Sequence, residues 1–410
     1  MKQITNKTMT RSFKTRYVKR NHYNNDSYLF RKEFREDIKS AHPYIAPFII
    51  CFSPLLKKLY INRHSKQIKD KIKKRPYKAL WLVPFYLLAK ITKILGVKWD
   101  NLGVRIRLWC GKVDIPYFEV VLTTRCTMRC EHCGNLMQYF SPKNQYTCSA
   151  DEILKTLNTI FEVVDSVGYI QILGGEPLLF KDIVKVVERL DTEPKLRKFG
   201  IITNGTIKPK QDLLVALSKS KKFCFDISDY SSSPNLKVKL YYKEIISLLE
   251  EFHIPYEMKF ENEPLKSWWD FGKIYKRNRD KDGNIENFRA CSRFMVCYSV
   301  MSNEGLDKIM GGGDLQSHSN SQSKGQIFIC PVASSLSRLR GLDEFEGDFV
   351  QLDSSLTKEK ILAFYNQEFF KACDYCHDYA KVKTYVPVGV QTDEVLQIQD
   401  YSKKDKSKKE

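Results

Sequence analysis

The chain has 410 residues, of which 68 are Lys or Arg and 48 are Asp or Glu, a formal net charge of +20. Residues 1–110 hold 26 basic and 6 acidic residues, which is +20; residues 111–410 hold 42 of each, which is zero. Apolar residues at 42% exclude a wholly disordered chain, and the charge split separates a basic N-terminal region from an electrically balanced body.

Residues 1–25 read as a flexible basic arm. No apolar run of the kind a secretory signal needs follows it, so a cytoplasmic location is expected. Twelve cysteines in a reducing compartment read as metal ligands rather than a disulfide scaffold. Asp26 or Ser27 caps a predicted helix over residues 28–39. Two apolar stretches follow, 40–56 and 79–89, broken by Pro43, Pro47, Pro54 and Pro84. Neither reaches the roughly 20 apolar residues of a spanning helix. The basic run 66–78 lies between them, and Trp81 and Phe85 follow it. Lysines beside aromatics suit a peripheral contact of residues 1–110 with an anionic membrane surface. A solvated basic face packed on the body is the alternative. No recognisable nucleic-acid module accompanies the run, so no specific nucleic-acid partner is expected. Residues 101–110 alternate apolar with Arg and predict a strand.

From Pro116 onward the pattern alternates. Strands are predicted at 117–123, 169–173, 198–203, 223–228 and 256–260. Helices are predicted between them at 150–167, 181–191, 211–219 and 236–253. This implies βαβ units and a parallel sheet, either a full or partial barrel or an open doubly wound sheet. Beyond about residue 285 the regularity is lost. Short strands are predicted at 294–301 and 326–330, on either side of a Gly/Ser-rich insertion at 302–325. A helix is predicted at 356–372, and a Lys-rich tail over 391–410.

The central motif is Cys126-Thr-Met-Arg-Cys130-Glu-His-Cys133, directly after the first buried strand. Its three thiols would sit at the carboxyl end of that strand, where parallel α/β folds place their chemistry. Three thiolates from one short loop can hold three corners of a cubane and leave one iron open. A zinc site with a distant fourth ligand is the alternative.

Cys-x3-Cys-x2-Cys in this position resembles the radical S-adenosylmethionine (radical SAM) enzymes. Gly174-Gly175-Glu176-Pro177 after the second strand, Thr203-Asn204-Gly205 after the third and Phe225 to Asp229 after the fourth extend the likeness over residues 115–265. The resemblance implies an α/β fold built on a partial (β/α)6-type parallel barrel. It implies that Cys126, Cys130 and Cys133 ligate a [4Fe-4S] cluster whose open iron binds S-adenosylmethionine. Gly174, Gly175, Glu176 and Pro177 would lie along the methionine moiety, Asp226 and Ser228 near the ribose, and His132 against the adenine. Reductive cleavage would give a 5′-deoxyadenosyl radical that abstracts hydrogen from substrate, with a flavodoxin or ferredoxin as the one-electron reductant. No side chain is assigned as the catalytic residue.

A second group, Cys291, Cys297, Cys330, Cys373 and Cys376, follows the strand–helix body. Gly325-x4-Cys330 and Cys373-x2-Cys376 resemble the auxiliary-cluster region called SPASM or, in its shorter form, twitch. That resemblance implies a second iron–sulfur cluster on Cys297, Cys330, Cys373 and Cys376, with Cys291 as substitute. A four-cysteine zinc site is the alternative. Cys51, Cys110, Cys148 and Cys224 read as small buried hydrophobes.

The expected organisation is a mainly helical basic extension (1–110), a radical SAM core (111–285), an auxiliary-cluster domain (286–390) and a tail (391–410). The expected function is a radical SAM oxidoreductase acting on a carbohydrate-linked substrate. A peptide-modifying maturase and a non-catalytic metal-binding protein recruited to membranes are the alternatives.

Overall fold

The computed structural model describes residues 32–61, 102–259, 267–270, 272–291, 296–299, 325–377 and 385–398, with a few single positions between 69 and 87. The predicted arm at 1–25, the insertion at 302–324 and the last ten residues lie outside the described residues, as does most of 62–101. The chain divides into two compact units, residues 1–116 and 117–410.

The first unit contains three described helices. α1 (Lys32–Ala41) buries Phe34 and Ile38 one turn apart. α2 (Ala46–Ile61) carries the first apolar stretch, with Pro54 inside it. α3 (Leu102–Trp109) occupies the segment whose alternation predicts a strand. Phe34, Ile38, Ala46 and Cys110 form its core, with Ile49, Ile50 and Ile106 packed on them. The buried positions of the last segment are Gly103, Val104, Arg107 and Cys110, a helical spacing. Arg107 points inward, held by Asp114 through two bonds of 2.6 Å and by Asp37 at 3.0 Å. A buried, paired arginine breaks the apolar/polar code on which the strand expectation rests. Among the described residues no helix is long and apolar enough to cross a membrane.

The second unit is built on one sheet, whose first strand, β1 (Asp114–Val121), begins just ahead of the division. The order along the chain is β1, α4 (Ala150–Val163), β2 (Ser166–Leu173), α5 (Ile183–Thr192), β3 (Leu196–Thr203), α6 (Gln211–Ser218), β4 (Phe223–Ser228), α7 (Tyr242–Glu251) and β5 (Tyr256–Lys259). β2 to β5 pair in parallel, and β1 flanks β2. The result is an α/β partial barrel. Each helix buries one apolar stripe, as α5 does with Ile183, Val186, Val187 and Leu190. α4 starts at a capping box between Ser149 and Glu152. It stops at Val163, earlier than predicted, because Val164 is extended and its carbonyl accepts a bond from Lys195 Nζ at 2.9 Å. α7 starts six residues later than predicted, since residues 230–241 are used to connect the ends of β3 and β4.

Two features depart from expectation. β6 (Ser267–Trp269) does not extend the sheet beyond β5; it pairs instead with β10 (Tyr385–Pro387). The cysteine-rich region is also not a separate body. After α8 (Lys281–Ala290), β7 (Val296–Ser299) joins the sheet in parallel beside β1. β8 (Gly325–Phe328) and β9 (Phe349–Leu352) continue it in antiparallel fashion. α9 (Pro331–Arg340) and α10 (Lys358–Tyr365) complete this half. The predicted helix at 356–372 is divided into α10 and a 3-10 turn over Lys371–Tyr375.

Candidate functional site

β1 ends at Val121, and the chain opens into a loop that carries Cys126, Cys130 and Cys133. The end of β2 closes directly on this loop. Gly175 N donates to Thr123 O at 2.8 Å and Glu176 N donates to Arg125 O at 2.9 Å. A Cβ on Gly174 would lie 2.3 Å from Thr123 O, and one on Gly175 would lie 2.2 Å from Arg125 O and 2.8 Å from Cys126 Cβ. The two glycines are required because the cysteine loop's backbone runs against them.

Glu176 is fully buried. Its carboxylate accepts from Thr203 Oγ1 at 2.9 Å, Asn204 N at 2.9 Å and Leu178 N at 3.1 Å. Burial raises its pKa to about 7 against the pull of these three donors. Glu176 thus ties the end of β2 to the end of β3. Asn204 passes the connection on: its side-chain amide donates to Thr127 Oγ1 at 3.0 Å and to Cys126 Sγ at 3.6 Å. Gly205, at φ +76°, lies against the Tyr242 ring. The Tyr242 hydroxyl donates to Ser228 O at 2.7 Å and accepts from Tyr230 N at 2.6 Å. The ends of β2, β3 and β4 therefore form one hydrogen-bonded rim around the cysteines.

The three thiols are neighbours within this rim. Burial raises the pKa of each, Cys130 to about 12. Backbone N–H groups and amide side chains aim at the sulfurs: Met128 N lies 3.5 Å from Cys126 Sγ, and Gln391 Nε2 lies 3.4 Å from Cys130 Sγ. Buried thiols with N–H donors aimed at sulfur fit iron–sulfur ligation, which creates the thiolates on binding. Among the described residues no three His, Cys, Asp or Glu side chains converge to hold a single metal ion. A cubane takes one ligand per iron and needs no such convergence.

The remaining predicted residues are distributed around the rim. Ser228 and Asp226 are buried on β4, on the same face of the strand. Asp226 accepts from the Tyr169 hydroxyl at 3.2 Å. His132 Nδ1 lies 3.0 Å from Asp270 Oδ1, a bond that raises the imidazole pKa and lowers that of the carboxyl. Pro177 begins a 3-10 turn. Leu136, three residues past Cys133, is left-handed at φ 57° and buried, a strained position where the loop reverses.

A second set of thiols lines a pocket formed by Asn287, Phe288, Cys291, Ile329, Cys330, Ala372, Cys373 and Cys376. Cys291 caps the end of α8, and Cys330 caps the start of α9 with Ala333 N 3.4 Å from its sulfur. The Cys373–Cys376 turn is pinned to the segment before α8. Asp374 accepts from Asn278 N and Arg279 N at 2.9 Å each, and Arg279 Nη2 donates to Cys376 O at 2.9 Å. Among the described residues, the cysteines that line the pocket are Cys291, the predicted substitute, Cys330, Cys373 and Cys376. Cys297 pairs through its backbone with Glu119 and Phe328 in the sheet, and its side chain lies outside the described residues. Of the cysteines expected to be buried, Cys110 and Cys148 are buried, Cys224 is partly exposed and Cys51 is exposed.

Sequence reasoning missed the C-terminal segment. Residues 388–396 are not a free tail. Glu131 N donates to Val390 O at 2.8 Å, Thr392 N to Arg129 O at 2.9 Å and Leu396 N to Gln138 O at 3.0 Å. The only local signal is Gly389, left-handed at φ +69°, against which the Tyr230 ring lies.

Residues 120–250 match the family described as the radical SAM superfamily. Among curated proteins, the chain is 39% identical over 95 residues to molybdenum cofactor biosynthesis protein 1 of Drosophila melanogaster, covering 22% of this chain and 16% of that one. It is 32% identical over 98 residues to a GTP 3′,8-cyclase of Clostridium acetobutylicum, covering 24% and 30%. The chain thus spans less than a third of the length of either relative. Among solved structures, BtrN in complex with AdoMet and 2-DOIA aligns over 70% of this chain and 98% of its own, at 13% identity and a TM-score of 0.37.

Proposed function

Residues 120–250 of this chain are a radical SAM domain, and from that premise we propose that the protein is a radical SAM oxidoreductase. Cys126, Cys130 and Cys133 would hold a [4Fe-4S] cluster, and the rim formed by the ends of β2, β3 and β4 would receive S-adenosylmethionine. The observation that carries this reading is the closure of Gly174–Glu176 onto the cysteine loop, with N–H donors aimed at two of the three sulfurs. Bound and reduced, such a cluster supplies one-electron cleavage of the sulfonium and the hydrogen abstraction that follows. The chain's own residues do the rest. Glu176 and Asn204 hold the loop, and Leu136 reverses it. Ser228 and Asp226 present acceptors from β4, and His132 is oriented by Asp270.

The substrate reading is a polyhydroxylated, carbohydrate-type molecule. Tyr117, Glu119, Tyr169, Gln171 and Asp226 support it. They alternate with the apolar residues Phe118, Val120, Ile170, Ile172, Phe225 and Ile227 on β1, β2 and β4, and so occupy the sheet face opposite those residues. Tyr117 and Tyr169 stack at 5.9 Å. Such a face offers hydrogen bonds to hydroxyl groups in several directions.

For the pocket lined by Cys291, Cys330, Cys373 and Cys376, the reading is an auxiliary iron–sulfur cluster with four protein ligands. The electron donor would be a small one-electron carrier of the flavodoxin or ferredoxin kind. The basic region 1–110 would hold the protein against anionic lipid. The exposed Tyr44, Ile45 and Phe48 at the start of α2 support a lipid-facing edge within that region. Sedimentation with phosphatidylserine vesicles tests it, and absence of binding at low salt rejects it.

Anaerobic reconstitution with iron and sulfide, reduction, and chromatography for 5′-deoxyadenosine test the main reading. The expected product appears with the wild type and is lost in Cys126→Ser. A fully loaded wild type that releases none overturns the enzyme assignment.

A further inference from the structure

From the C-terminal segment lying across the cysteine loop, we infer that Gln391 is a positioning residue that donates its amide to Cys130 and raises the reduction potential of the cluster held there. The inference rests on the cluster reading above and adds to it a residue that is 261 positions from its target.

The contact is built rather than incidental. Cys130 and Gln391 form an antiparallel bridge. The flanking bonds Glu131 N to Val390 O and Thr392 N to Arg129 O hold it on both sides. Gln391 is buried, and its backbone is gripped by one side chain: Asn235 Nδ2 donates to Gln391 O at 2.9 Å, and Gln391 N donates to Asn235 Oδ1 at 2.7 Å. Ser233 Oγ donates to Gly389 O at 2.8 Å.

The orientation of the amide follows from its partners. Gln391 Oε1 accepts from Arg129 N at 3.2 Å. Its nitrogen faces Gly389 O at 2.6 Å, which can only accept from it, and Cys130 Sγ at 3.4 Å, which can only accept once it is a metal-bound thiolate. Swapping oxygen for nitrogen would set donor against donor at Arg129 and leave the sulfur facing an oxygen. The N–H···S bond therefore has one sense.

A donor to a ligand sulfur stabilises negative charge there, and the reduced cluster carries one more electron than the oxidised one. Losing the donor should make reduction harder. The segment also reaches the loop a second way. β10 pairs with β6, and Asp270, which follows β6, holds His132 beside Cys133. The last described residues of the chain thus brace the loop at two points.

The test is a redox titration of reconstituted Gln391→Leu, Gln391→Glu and wild type. It is followed through the electron paramagnetic resonance signal that S-adenosylmethionine perturbs, which separates this cluster from an auxiliary one. Iron content is measured on the same samples. Gln391→Leu should bind as much iron as wild type. Its equilibrium constant for reduction should fall by roughly tenfold, about 59 mV for one electron. Gln391→Glu, with a carboxylate against the thiolate, should fall further. Asn235→Ala, which frees the backbone of Gln391, should move the potential in the same direction by less. A fully loaded Gln391→Leu protein with the wild-type potential overturns the inference and leaves the cluster reading standing. A wild type that takes up no iron on Cys126, Cys130 and Cys133 overturns both.

Discussion

Glu176 accepts the backbone N–H of Asn204 at 2.9 Å, and the side chain of Asn204 reaches the sulfur of Cys126 at 3.6 Å. One buried carboxylate at the end of β2 thereby sets the position of an amide at the end of β3 that faces the first thiol. The Gly-Gly-Glu-Pro motif is used from inside: its glycines and its glutamate hold the cysteine loop, whatever its carbonyls offer to a ligand.

The carboxyl of Glu176 has a pKa raised to about 7 by burial, from an ordinary value of 4.5. The folded chain therefore holds this proton more tightly than the unfolded chain. Between about pH 4.5 and pH 7 the unfolded state has released it and the folded state has not, so stability falls as pH rises through that window. Glu176→Gln removes this dependence. The expected result is a melting temperature that declines from pH 5 to pH 7 in the wild type more steeply than in the variant. The variant should be less stable at pH 5 by about 1–3 kcal/mol, because one of the three donors loses its acceptor. Thermal unfolding of the metal-free protein followed by circular dichroism checks both.

Gly175→Ala would place a methyl group 2.2 Å from Arg125 O and 2.8 Å from Cys126 Cβ, both on the loop that must hold its shape. The cost should be roughly 1–3 kcal/mol of stability, typical of an overpacked interior, together with loss of most of the iron bound at this loop. Gly111→Ala is the control. Gly111 is left-handed at φ +72° but has open space around it, so only the conformational cost of about 1 kcal/mol applies. Iron counting after reconstitution separates the two, since Gly111→Ala should load fully.

Much of this was legible in the amino acids, for identifiable reasons. β4 runs over Phe223–Ser228 as predicted, because a buried parallel strand reads as a short apolar run between breakers. The cysteine loop was legible because its spacing is local. What failed depends on partners far along the chain. The segment Leu102–Trp109 reads as a strand if arginine is taken as exposed, but Arg107 is buried by Asp37, 70 residues away. Gln391 carries no motif, and its role exists only because the chain returns to Cys130. No spacing rule chooses between Cys291 and Cys297; that Cys291 lines the pocket follows from where α8 ends.

That choice has a direct test. In a Cys126→Ala/Cys130→Ala/Cys133→Ala background, any iron that remains belongs to the auxiliary pocket. Cys291 lines that pocket with Cys330, Cys373 and Cys376. Adding Cys291→Ala should remove at least three quarters of the remaining iron and sulfide, as should Cys330→Ala. Adding Cys297→Ala should leave both near the starting level. Equal loss from Cys297→Ala and none from Cys291→Ala would return the ligand role to Cys297.

The buried pair Arg107 and Asp114 gives the first unit a stability test independent of any cofactor. Both side chains are almost fully buried, and two bonds of 2.6 Å join them in a fork. Asp37 adds a third contact at 3.0 Å. Removing only the cation, as in Arg107→Met, leaves Asp114 charged in the interior and should cost about 3–5 kcal/mol. Removing both, as in Arg107→Met/Asp114→Leu, should recover a large part of that loss, because two apolar side chains need no partner. Asp37→Ala alone should cost less, since Asp37 is the more exposed partner and the fork to Asp114 remains. Urea unfolding of the three variants, read by circular dichroism, gives the order directly. If the double variant is no more stable than Arg107→Met, the energetic account of this pair is wrong.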